Sequence, residues 1–387
     1  RVPVTSEART GFDPIVIAGG PCATFNPEPF ADFIDAFIIG EGEGIVTAVL
    51  ERIRKGRENG ESREETISAL AQIDGVYVPV LYTPQYDDKE QFIGYDIADG
   101  APKIIRRHFE PLTSGGETVI ATNFTEFGAM YIIEVARGCG RHCRFCMAGY
   151  CFRVPRVRPL DILKEGVDRA EKLGKKVGLM GAAISDYPEV DELVTYIRSK
   201  DMRYSCASLR ADSLTQAVVD GLAESGQKTI TIAPETGSER LRRVINKGIS
   251  EENLRTAAQL SAKSGIQHIM IGLPTETDED IDAIVGLAER TQAHMAEVGC
   301  KGRLTLSINP FIPKPFTPFQ WMAMDHQKSV EKKLQYIKKS LQKNRRIEVL
   351  VESPKEAYIQ GVLARGDRRL GKVLAACALD RGSKSFK

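Results

Sequence analysis

From residue 131 onward the chain falls into a regular alternation that leaves few architectures open. Strand-like apolar runs occur at 131–136, 176–181, 203–208, 228–233, 267–273 and 303–309. Amphipathic helical stretches lie between them, near 160–173, 189–199, 213–225, 250–264 and 278–297. Strands separated by helices at this spacing imply a parallel sheet with crossover helices, since a tight turn cannot join parallel neighbours. Six such strands make roughly three-quarters of an eight-stranded barrel. The expected fold class is α/β, with a partial (β/α)6 TIM-like barrel over residues 131–322.

Residues 13–50 read as strand, loop, strand and helix: Ile15–Ala18, then Gly19-Gly20, then Ala36–Ile39, Gly40-Glu41, and a helix over Ile45–Ile53. Short buried strands ending in glycine-rich turns fit the end of a doubly wound α/β domain. Residues 1–55 are therefore read as a partial Rossmann-like segment, 56–130 as a connector and 323–387 as a helical extension. In that extension Val330, Leu334, Ile337 and Leu341 form one apolar stripe at helical spacing, and the lysines around them read as a solvated face.

The net charge of +1 does not by itself call for a polyanionic partner and leaves local basic patches open. The sequence holds no run of about 18 apolar residues, so no membrane span is expected, and the start carries no secretory pattern. Of the eight cysteines, Cys22, Cys151, Cys206, Cys300 and Cys377 are scattered, while Cys139, Cys143 and Cys146 are clustered. A local triplet in a long chain points to metal binding in a reducing compartment rather than to disulfides, which places the protein in the cytoplasm.

The triplet has the spacing CxxxCxxC, which eight cysteines would give by chance in roughly three chains per thousand. Thiolates are the ligands of iron–sulfur clusters, and three thiolates on a four-iron cubane leave one iron open to a small chelator. The competing reading is structural zinc with His142 or Cys151 as fourth ligand, but no second cysteine pair or histidine pair accompanies the triplet.

With Phe145 directly before its last cysteine, the triplet resembles the signature of the radical S-adenosylmethionine (SAM) superfamily. The resemblance implies a 4Fe–4S cluster on Cys139, Cys143 and Cys146, with SAM chelating the open iron. One-electron reduction would then release a 5′-deoxyadenosyl radical. It also implies oxygen sensitivity and an external electron donor, a flavodoxin or ferredoxin. The SAM contacts it suggests lie at the strand ends: Gly181 at the methionyl amine, Ser208, Arg210 and Glu235 at ribose and carboxylate, Ile271 and Leu273 at adenine, and Asn309 beside them. Active sites of parallel barrels do sit at the C-terminal ends of the strands. The alternative readings are that Gly181 only ends a strand, that Glu235 caps a helix, and that Arg153, Arg156 and Arg158 are a solvated loop. Tyr150, Cys151 and Tyr187 lie near the same rim, and no catalytic acid or base is identified.

The stretch DPIVIAGGPCATFNPEPFADFIDAFIIGEGE resembles the C-terminal part of a cobalamin-binding domain fused to radical SAM barrels. That resemblance places Gly19 and Gly20 beside the nucleotide tail of cobalamin, with Gly40 and Glu41 on the next rim. The tail ARGDRRLGKVL from Ala364 resembles a subgroup of the same family. A full domain needs earlier strands, often with a DxHxxG loop; that motif is absent, so the chain is expected to be truncated at its N-terminus. Three functions follow: cobalamin-dependent methyl transfer to an unactivated carbon; a cobalamin-independent radical SAM modification of RNA or a peptide; or a non-enzymatic zinc module. A methylthiotransferase needs a second three-cysteine cluster upstream, where only Cys22 lies. The substrate, whether small molecule, peptide or RNA, is not encoded in these motifs.

Overall fold

The computed structural model describes residues 1–113, 116–206, 209–227, 229–260 and 265–379, the side chains of 265 and 266 excepted. It divides into one unit of residues 1–111 with 362–387 and a second of residues 112–361.

The first unit is built on a small sheet of β1 (Ile17–Ala18), β2 (Ala36–Ile38) and β3 (Val76–Tyr77) in that order. β1 and β2 are parallel and β3 is antiparallel to β2. Helices α1 (Gly20–Phe25), α2 (Ile45–Glu58) and α3 (Arg63–Leu70) accompany it. α3 starts at Ser62 in a reciprocal capping box: the Glu65 N–H donates to Ser62 Oγ at 3.1 Å, and the Ser62 N–H donates to Glu65 Oε2 at 2.7 Å. Ile38, Ile45, Val49, Ile67, Leu70 and Val76 bury the apolar faces of these elements together. A hairpin of β4 (Tyr82–Tyr86) and β5 (Phe92–Ile97) follows. Residues 56–111 are thus an integral part of this unit rather than the expected connector, because β3 completes the sheet and α3 its core.

The tail motif has a structural explanation within the same unit. Asn26 Nδ2 donates to the carbonyls of Leu363 and Gly366 at 3.0 and 2.8 Å. Arg368 donates to Glu28 (3.2 Å), to the Tyr82 carbonyl (2.9 Å) and to Tyr77 Oη (2.8 Å). Arg368→Ala leaves the largely buried Glu28 without its counter-charge. The expected loss is roughly 2–3 kcal/mol of stability in this unit, read as a lowered midpoint in urea unfolding followed by far-UV circular dichroism.

In the second unit the parallel strands are β6 (Met130–Glu134), β9 (Lys176–Met180), β10 (Tyr204–Cys206), β11 (Ile230–Glu235), β12 (Gly265–Ile271) and β13 (Leu304–Pro310). β7 (Ala136–Arg137) and β8 (Arg156–Val157) form a small antiparallel ladder after β6. The crossover helices are α4 (Leu160–Lys172), α5 (Val190–Ser199), α6 (Gln216–Glu224), α7 (Glu239–Val244), α8 (Glu251–Leu260) and α9 (Asp278–Glu297). α10 (Gln327–Leu341) buries Val330, Leu334, Ile337 and Leu341, the stripe read from the sequence. A seventh parallel strand, β14 (Ile347–Val351), pairs with β13 in the register Leu304↔Ile347. Residues 323–387 are therefore not purely helical: their first part extends the sheet, and the part from 362 belongs to the other unit.

Alternation along the strands separates two faces. Tyr131, Ile133, Tyr204, Ile232, Leu306 and Ile308 are buried in the clusters that include helix residues such as Leu163, Leu193 and Ile284. The intervening residues, among them Ile132, Glu134, Ser205, Thr231, Glu235, Ser307 and Asn309, are only half-buried and mostly polar. That face is wetter than the apolar layers that fill a closed TIM barrel.

Candidate active site

The three clustered cysteines lie on the loop between β7 and β8, beyond the C-terminal end of β6. Several hydrogen bonds fix its course. The Cys139 N–H donates to the Ala148 carbonyl at 3.1 Å, and the Cys146 N–H to the Cys143 carbonyl at 3.0 Å. Arg144 is held on both sides: its N–H donates to the Ile245 carbonyl at 2.9 Å, and its carbonyl accepts from the Phe319 N–H at 3.2 Å. Tyr150 Oη and Asn246 Nδ2 each donate to the His142 carbonyl at 2.9 Å. His142 itself has a left-handed backbone (φ 53°), a conformation that needs such support. Arg141 grips Asp186 with two hydrogen bonds of 2.9 and 2.7 Å and reaches Asp212 at 3.1 Å. Burial alone would push the Asp186 carboxyl up, but hydrogen bonds from Arg141 and Ser213 outweigh it and hold it below its ordinary value.

Burial pushes the Cys143 thiol up, an effect that the positive charges of Lys247 and Arg210 oppose. Burial also pushes up the Cys146 thiol, against a hydrogen bond from the Ala148 backbone. Lys247 is nearly buried and donates to Glu235 Oε1 at 2.8 Å. Among the described residues, no three His, Cys, Asp or Glu side chains are gathered so that one metal ion could take them all. The donor chemistry is that of an iron–sulfur cubane, where each of three thiolates on one short loop takes a different iron.

The other candidate residues fare unevenly. Phe145 and the buried Leu273 meet in one apolar cluster with Leu241, Ile245, Phe311 and Phe319, which packs the cysteine loop against the strand ends. Asn309 lies on the half-buried face of β13, and its Oδ1 is buried without a hydrogen-bond partner. An orphaned amide oxygen there is a ready acceptor for a bound ligand. Ile271 is fully buried in the cluster that α9 and α10 share with β12 and β13. Arg210 is committed to Asp212 at 2.9 and 3.0 Å and to the Lys247 carbonyl at 3.2 Å. Glu235, in the left-handed region at φ 67°, pairs with Lys247 instead of capping α7; Ser238 caps that helix. Gly181 is explained by packing, since a Cβ there would lie 2.9 Å from Ile184 and 3.2 Å from the Ala136 carbonyl. Ser208 lies outside the described residues. Arg158 is no solvated side chain: it is buried and paired with Glu134 at 2.7 Å. Tyr150 and Tyr187 hold loops through the His142 and Arg158 carbonyls, and Cys151 is buried.

In the first unit an apolar cavity of about 340 Å³ is lined by Gly19, Gly20, Ile38, Gly40, Val46 and Leu50. Space beside Gly20 is open: a Cβ there would meet nothing within 4 Å. The other two expected contacts, of which Gly40 also lines this cavity, serve the fold as well. Gly40 runs against the backbone of His108, and Glu41 binds Arg107 at 3.1 Å and the Glu110 N–H at 3.1 Å. Sequence reasoning missed Lys247 and the Arg141–Asp186–Asp212 network. A lysine in a loop and separated acids carry no local pattern; only the fold brings them to the cysteines.

A cysteine loop on the C-terminal ends of parallel strands, with unpaired polar groups beside it, defines a class of cofactor-dependent barrel enzyme. Residues 133–288 match the family model of the radical SAM superfamily, and residues 1–79 match that of radical SAM proteins, N-terminal. An uncharacterized protein of Methanocaldococcus jannaschii is 34% identical over 370 residues, covering 93% of this chain and 73% of that protein. An uncharacterized methyltransferase of Pyrococcus horikoshii is 26% identical over 314 residues, 73% of this chain and 59% of its own. The structure of the radical SAM methyltransferase TsrM from Kitasatospora setae, with cobalamin and a 4Fe–4S cluster bound, superposes with a TM-score of 0.51 at 15% identity. That match covers 78% of this chain and 58% of TsrM, and shows a shared fold. The chain belongs to the radical SAM superfamily of enzymes. It spans less than two thirds of the methyltransferase from Pyrococcus and of TsrM.

Proposed function

We propose that the protein is a cobalamin-dependent radical SAM methyltransferase acting on an unactivated carbon. Cys139, Cys143 and Cys146 would hold the 4Fe–4S cluster, and Asn309 Oδ1 would accept a hydrogen bond from SAM on the half-buried strand face. When bound there, the reduced cluster would supply one electron for reductive cleavage of a carbon–sulfur bond of SAM. The observation that carries the methyl-transfer reading is the apolar cavity beside Gly19 and Gly20. Its open glycine floor and the half-exposed Val46 and Leu50 suit the flat, apolar aromatic base at the end of a corrinoid's nucleotide tail. Support also comes from the match of residues 1–79 to the N-terminal family model and from the shared fold with TsrM.

The test is anaerobic purification and cluster reconstitution, then incubation with hydroxocobalamin and gel filtration. Cobalt retained near one per chain is expected. Leu50→Glu, which places a charge at the cavity rim, is expected to weaken retention by about tenfold, the effect of roughly 1.4 kcal/mol. Deoxyadenosine formation without cobalt retention would favour a cobalamin-independent radical SAM modification. Stoichiometric zinc with no sulfide would leave a structural metal module.

A further inference from the structure

We infer that the surface over the cysteine loop is the docking face for an acidic one-electron carrier protein of the flavodoxin or ferredoxin class. The inference rests on the assignment of the cluster to Cys139, Cys143 and Cys146, and adds where its electron enters. Between Val135 and Leu160 the sequence has no Asp or Glu but six arginines. The fold uses three of these internally: Arg137 and Arg158 bind Glu134, and Arg141 binds Asp186. Arg144 is different. It sits between two cluster cysteines, yet its side chain is exposed, and its guanidinium is spent on the backbone carbonyls of Arg243 and Val244. Arg243 is exposed beside it, and among the described residues neither guanidinium has a carboxylate partner. Arg153 is exposed on the same loop; burial pushes the Tyr150 phenol up, and the charges of Arg144 and Arg153 both act against that shift.

An apolar element accompanies the charge. The Phe319 N–H is bonded to the Arg144 carbonyl, and in the same short turn Trp321 is 85% exposed. Val154, next to Arg153, is 67% exposed. Exposed arginine with an exposed aromatic is the composition of a small interface, and weak electron-transfer encounters bury little area and depend on charge complementarity. The occupant must therefore be acidic, and it must carry an electron, because this face is where a residue between cluster ligands reaches solvent. A nucleic acid would also meet the charge. It would not need the position, and it could not reduce the cluster.

The experiment follows reduction of the reconstituted holoprotein by photoreduced flavodoxin in stopped flow, through the cluster's visible absorbance. Arg243→Glu is expected to lower the second-order rate constant about tenfold at low salt, with the difference largely gone at about 0.5 M NaCl. Arg243→Lys is expected to keep the rate. Trp321→Ser is expected to weaken the encounter several-fold at all salt concentrations. Deoxyadenosine formation driven by dithionite, which needs no docking, is expected to be the same in all variants. Unchanged flavodoxin rates in Arg243→Glu and Trp321→Ser overturn the docking face while leaving the cluster assignment standing. A protein that takes up no iron and sulfide overturns both, and the iron count alone reports that outcome.

Discussion

Replacing Cys143 by alanine is expected to abolish iron–sulfur binding and with it all deoxyadenosine formation from SAM. The wild-type holoprotein is expected to carry about four irons and four sulfides per chain. Cys143 is the buried member of the triplet, and its loop is locked by the bonds of Arg144 to Ile245 and Phe319. The loop therefore cannot slide to offer Cys151, itself buried, as a replacement ligand. Loss of turnover by more than about a thousandfold is expected, since removal of the cluster removes the electron rather than one transition-state contact. The pH dependence of loading has a definite sign. Burial raises the Cys143 and Cys146 thiols, so iron must displace protons that hold on above the ordinary thiol range. Loading at fixed iron is thus expected to improve as pH rises from 6 to 9, roughly as these thiols approach deprotonation. Iron and sulfide assays on the variant and on wild type across that range check both statements; full loading of Cys143→Ala would overturn the assignment.

Gly40→Ala is expected to be the most damaging single-methyl change in the first unit. Gly40 has φ 113°, outside the range open to side-chain-bearing residues, and a Cβ there would lie 2.7 Å from the His108 N and 2.8 Å from Arg107 Cγ. The obstacle is mostly backbone, so no rotamer change relieves it. The substitution must part β2 from the 107–110 segment, breaking the bridge to His108 and the contacts of Glu41 with Arg107 and Glu110. A loss of about 3 kcal/mol or more is expected. The single tryptophan, Trp321, lies in the other unit and will not report this. Hydrogen exchange at Ala36–Ile38 will; unchanged protection there would contradict the expectation.

What the sequence discloses depends on whether a residue's role is local. The barrel strands and α4, α5, α6, α8 and α9 follow from apolar periodicity, whereas the short α7 was not read; the observed ends of α9 match the reading of 278–297. The cysteine triplet is local as well, its spacing set by one loop. Residues whose work is set by distant neighbours were not legible. Ile271 looks like a ligand-lining residue at a strand end, but strand alternation turns it toward α9 and α10. Glu235 and Arg210 look free, yet Lys247 engages both, across gaps of 12 and 37 residues. β14 was missed because five alternating residues after a charged stretch read as readily as loop, and only the neighbouring β13 makes them a strand. At Gly40 and Gly181, both read as room for a ligand, the missing side chain also makes room for the protein itself: the His108 backbone at the first, Ile184 and the Ala136 carbonyl at the second.

The hydrogen bonds of Asn26 to Leu363 and Gly366, and of Arg368 to Glu28, close the first unit with the last part of the chain. The barrel unit is therefore an insertion between the two halves of its neighbour. During synthesis, residues 112–361 emerge and can condense while the preceding sheet still lacks its closing segment. The nascent first unit must wait, its Glu28–Tyr77 pair without the Arg368 counter-charge, until translation has passed Arg368. A ribosome stalled short of that point would release a chain with a finished barrel and an open neighbour, and proteolysis of such chains should begin within residues 1–111, not within the barrel.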